Sequence, residues 1–121
     1  MTMSGLANLL IGLIAIEHVG FLFLEIFLWR KPIGLRIFRM TKDVADASAV
    51  LAANQGLYNG FLAAGLAWSL VMPSGEQALP VKMFFLGCIA VAGIYGGFTA
   101  NPSIWAVQAA PALVALALLR Y

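Results

Sequence analysis

Three ionisable side chains interrupt the first long apolar stretch of the chain: Glu17, His18 and Glu25. On a helix, with about 100° between successive residues, they fall within about 100° of one another, on one side. A second stretch carries Asn54, Gln55, Tyr58 and Asn59, spread over about 140° of one face. Carboxylates and an imidazole exchange protons, whereas amides and a phenol donate and accept hydrogen bonds without changing charge. Together they have the chemistry of a binding site that also exchanges protons. Glu17 is the expected proton or cation site, and His18 and Glu25 tune it or relay protons. Asn54, Gln55, Tyr58 and Asn59 orient the ligand. Two alternatives use the same residues: an acid-base enzyme of the isomerase or epoxide-opening type on a lipophilic substrate, and a structural or partner-binding subunit in which they act as interhelical glue.

The elements that must position these groups follow from composition. Of 121 residues, 63% are hydrophobic and 10% charged, with a mean hydropathy of +0.96. That excludes disorder and leaves too little polar surface for a water-soluble globule of this length. Four apolar runs, 6–29, 44–72, 81–100 and 102–119, are each long enough to cross a hydrocarbon core about 30 Å thick. The expected fold class is all-α: one integral membrane domain, a four-transmembrane-helix bundle, with the lipid bilayer as its main partner. The first run has no basic leader and is too long for a signal-peptide core, so it is expected to stay in the mature protein.

Local signals refine the boundaries. Arg30, Lys31 and Pro32 are expected to end the first helix, with Trp29 as an interface anchor. Residues 34–40 mix Leu35, Ile37 and Phe38 with Arg36 and Arg39, the pattern of a segment lying on the membrane surface. Asp43 is the expected N-cap of the second helix, with Asp46 in its first turn. Pro73, Ser74 and Gly75 form a turn, and Asn101 with Pro102 caps and opens the last helix. Five of the seven Lys and Arg residues lie between Arg30 and Lys42. Such a cluster flanks a membrane rather than binding nucleic acid, and it places loop 30–43 in the cytoplasm and both termini outside.

The remaining features read as packing. Cys88 has no partner for an intrachain disulfide. Adjacent Glu17 and His18 diverge by about 100° and there is no second histidine, so no metal site and no cofactor are expected. Gly93 and Gly97, with Ala92 and Gly96, allow close helix approach inside the bundle or in a homodimer. Gln108 adds a further polar contact for a ligand, and Pro111 a kink.

The ten residues 54–63, Asn-Gln-Gly-Leu-Tyr-Asn-Gly-Phe-Leu-Ala, resemble the small membrane-protein family catalogued as domain of unknown function 1304. The likeness extends through Glu17-His18, Glu25 and Leu28-Trp29 in the first helix, and through Gln108 with Pro111-Ala112-Leu113 in the last. What it implies is a compact four-helix bacterial protein of the inner membrane, with no activity attached. The family-like residues are Glu17, His18, Glu25, Asn54, Gln55, Tyr58 and Asn59, the set that polarity selects. Small multidrug-resistance transporters share the length and a first-helix glutamate, and membrane sterol isomerases share the glutamate and histidine chemistry; both are analogies. The expected function is therefore an intramembrane polar cavity that binds, and with proton coupling transports, a small or amphiphilic molecule.

Overall fold

The computed structural model describes residues 1–73 and 75–121, so Ser74, the middle of the expected turn, lies outside the described residues. The fold is all-α, with no strand among the described residues. Helix α1 spans Met3–Ile26, α2 Pro32–Ile37, α3 Lys42–Val71 and α4 Ala78–Thr99; a π-helical turn, Trp105–Ala109, then leads into α5, Ala110–Leu118. The chain folds as two compact units, one of residues 1–15 and 64–121 and the other of residues 16–63; α1 and α3 each contribute to both.

Capping chemistry sets the helix ends. Thr2 opens α1, its hydroxyl oxygen accepting the Gly5 N–H at 3.0 Å. α1 stops at Ile26, earlier than expected, where the Leu28 N–H slips back to the Phe23 carbonyl at 3.2 Å, which already accepts the ordinary helical bond from Phe27 at 3.0 Å. Pro32 does not end this helix. It opens α2 instead, at a position where its missing N–H would have had no partner. α2 closes with Arg39 in the left-handed region (φ 52°), which lets the Met40 N–H reach the Leu35 carbonyl at 2.9 Å. The cap of α3 is Thr41, not Asp43: the Thr41 hydroxyl accepts the Val44 N–H at 3.3 Å, and Asp43 falls in the first turn. At the start of the last helical run, the Asn101 side chain accepts the Ser103 N–H at 2.9 Å, as the Asn-Pro pair predicts.

In the unit of residues 1–15 and 64–121, α4 packs against the π-helical turn and α5. The glycine pair makes this approach possible: a Cβ on Gly93 would lie 2.6 Å from the Ala109 backbone nitrogen, and one on Gly97 would run into the Trp105 ring. Trp105 donates its indole N–H to the Ile94 carbonyl at 3.1 Å. The close-approach motif is thus used within the chain. Pro111 explains the π-helical turn, since proline neither donates to nor tolerates the carbonyl four residues earlier; the helix slips register, and the Ala110 N–H bonds to Trp105.

Among the described residues two helices, Met3–Ile26 and Ala78–Thr99, are long and apolar enough to cross a membrane, and Trp105–Leu118 is apolar but shorter. α3 is longer than either at 30 residues, but Asn54, Gln55 and Asn59 sit near its middle and lower its hydropathy. Large apolar side chains remain exposed along the helices, among them Leu13, Phe23, Phe61, Trp68, Phe84 and Phe98.

Candidate functional site: a buried glutamate beside a cationic cleft

The unit of residues 16–63 brings the last turns of α1 against the first half of α3. Gly56 allows the approach: a Cβ there would come within 2.9 Å of Ile26 and 3.0 Å of Glu25. The close contact buries Glu25, which is 3% exposed. Asn59 donates its amide to Glu25 Oε1 at 2.8 Å. Gln55, one turn earlier, comes within range of the same carboxyl group without closing a hydrogen bond on its second oxygen. Oε2 is buried and has no hydrogen-bond partner among the described residues.

Glu25 forms part of the wall of a cleft of about 680 Å³. Ile26, Phe27 and Trp29 continue that wall, and Ala49, Val50, Ala53 and Asn54 of α3 face them. Arg30, Lys31, Lys42 and Asp46 complete the lining. The Arg30 and Lys42 side chains are mostly exposed, which makes this end the mouth and Glu25 the floor. Asp46 is shared by the two cations, 3.1 Å from Lys42 Nζ and 4.0 Å from Arg30 Nη1. Trp29 is fixed by its indole N–H, which donates to Ser48 Oγ at 3.1 Å, and by its ring against Phe38 at 4.7 Å.

The expected residues therefore separate. Glu25, Asn59 and Gln55 come together, and Glu25 rather than Glu17 holds the centre. Glu17 is half-buried, its Oε2 4.0 Å from Nδ1 of His18, while His18 is fully buried with its ring edge-on to Phe21 at 5.3 Å. Asn54 lines the cleft but is exposed and donates its amide to the Val50 carbonyl at 2.9 Å. Tyr58 is 60% exposed, its ring 6.0 Å from Phe61, and does not join the cluster. Gln108 lies in the other unit, half-buried within the π-helical turn.

Two features escaped the sequence reading. The cations from Arg30 to Lys42 read only as a membrane-flanking loop, yet three of them line the cleft; the available signal was Arg30 lying just past Glu25. In the other unit, Lys82 Nζ donates to Asn8 Oδ1 at 2.7 Å beside a small cavity of about 250 Å³. A lone lysine and a lone asparagine in two apolar helices each needed a polar partner, and that need was the signal.

The sequence profile of the family described as Protein of unknown function (DUF1304) matches residues 12–120. The chain is 33% identical over 116 residues to uncharacterized protein YpaA of Lactococcus lactis subsp. lactis (strain IL1403), an alignment covering 94% of this chain and 96% of that protein. No solved structure gives a significant match. The chain belongs to the DUF1304 family.

Proposed function

We propose that the protein is a four-span integral protein of the bacterial inner membrane whose Glu25 cleft binds a small amphiphilic molecule, with proton exchange at the Glu25 carboxyl. Residues 30–43 face the cytoplasm and both termini face outward. The membrane reading is supported by two long apolar helices, by exposed rings such as Phe98 at 76%, and by the cations gathered in one loop.

The binding reading is carried by one observation: a buried carboxyl oxygen without a partner in the wall of an open cleft. Leaving such an acceptor unpaired costs roughly 1–3 kcal/mol, which a ligand hydroxyl or ammonium group recovers. Ile26, Phe27, Val50 and Ala53 supply an apolar wall for an alkyl chain.

Monooleoylglycerol, a neutral amphiphile bearing hydroxyl donors, tests this directly. Titrated into the purified protein in detergent with a weakly buffered pH indicator, it should bind saturably and move protons. Glu25→Gln should abolish the proton signal and weaken binding by roughly tenfold, with Glu17→Gln having the smaller effect. Equal binding and equal proton movement in a folded Glu25→Gln variant would remove the reading. Carriage across the bilayer adds a further requirement, probe-driven proton movement in liposomes that the same substitution stops.

A further inference from the structure

The cleft's charge is not accounted for by its own residues. Three cations, Arg30, Lys31 and Lys42, line it against two carboxylates, Glu25 and Asp46. Glu25 is buried at the floor and engaged by Asn59, and Asp46 is divided between Lys42 at 3.1 Å and Arg30 at 4.0 Å. Lys31 has no anionic partner among the described residues, and Arg30 holds only the longer of the two Asp46 contacts. A guanidinium fork and an ammonium on consecutive residues suit the several oxygens of a phosphate better than the two of a carboxylate. Below them the cleft has an apolar wall and, at its floor, an acceptor awaiting a donor.

We infer that the ligand of this cleft is a phosphate-bearing amphiphile, its phosphate ester seated on Arg30 and Lys31 and a hydroxyl or ammonium group of the same head donating to Glu25 Oε2. The inference rests on the reading of the cleft as an amphiphile site and adds the anionic group. The matching chemistry is that of a glycerophosphate, either as a lipid headgroup or as a free phosphate ester.

The test compares oleoyl lysophosphatidylglycerol with monooleoylglycerol on the full chain in neutral detergent, by native mass spectrometry or calorimetry. The phosphate-bearing probe should bind roughly ten- to hundredfold more tightly, as expected for charge-assisted contacts. Arg30→Gln with Lys31→Gln should reduce its affinity to that of the neutral probe while leaving the neutral probe's affinity unchanged. Should the double variant fold poorly, salt gives the same answer in the unaltered protein: about 0.5 M salt should weaken the phosphate-bearing probe and spare the neutral one. Glycerol 3-phosphate identifies the source. Competition by it supports a free ester, and its failure to compete supports an acylated headgroup; both preserve the phosphate assignment. Equal, salt-insensitive affinity for the two acylated probes would overturn the inference and leave the amphiphile reading standing. Failure of both probes to bind would overturn the reading itself, and the inference with it.

Discussion

Glu17 and Glu25 carry the same side chain on the same face of one helix, and their surroundings make them different groups. Helical periodicity placed them together but could not rank them, because depth is decided by what packs opposite. Gly56 admits α1 to within contact of α3 at the level of Glu25, and Asn59 then takes one carboxyl oxygen at 2.8 Å. Asn59→Ala should therefore lower stability by about 0.6–2 kcal/mol, the range of an interhelical hydrogen bond in a membrane protein, read as a lower melting temperature in detergent. Tyr58→Phe, at a position 60% exposed, should change it by less than about 0.5 kcal/mol. The same comparison marks the limit of the sequence. Tyr58 and Asn59 are neighbours in a polar motif, and only their contacts show that one serves Glu25 while the other faces outward.

At the scale of elements, punctuation was legible wherever one residue type had a single use. Asn101-Pro102 opened the last helical run as expected, and Pro111 disturbed it by forcing a π-helical turn rather than a simple kink. Asp43 was misread because Thr41, two residues earlier, offers the same capping chemistry and is the residue whose hydroxyl meets the Val44 N–H. Thr41→Ala should cost α3 about 1 kcal/mol and Asp43→Ala less, measured by thermal unfolding. The glycines of α4 could serve packing within the chain or against a second copy; the approach of Ala109 to Gly93 shows that Gly93 is used within the chain. Gly93→Ala should destabilise the fold by roughly 1–3 kcal/mol through overpacking.

For the whole molecule, composition and the apolar runs pointed to an all-helical chain, as observed; of the four expected spans, two among the described residues, Met3–Ile26 and Ala78–Thr99, are long and apolar enough to cross a membrane. The cleft was not legible, since it joins the end of α1, the loop cations and α3, segments that periodicity treats one at a time. The proposed orientation in the membrane has its own test. In a Cys88→Ala background, a cysteine at Arg36 should resist a membrane-impermeant maleimide applied to intact cells, and one at Thr2 should react; the reverse pattern would invert the assignment. Whether the Glu25 cleft holds an amphiphile is answered most directly by photo-crosslinking. A monooleoylglycerol carrying a diazirine beside its glycerol group should label residues 25–30 and 49–54 in the wild-type protein and lose that labelling in Glu25→Gln. Labels scattered over exposed apolar residues such as Phe84 and Phe98, indifferent to the substitution, would contradict it.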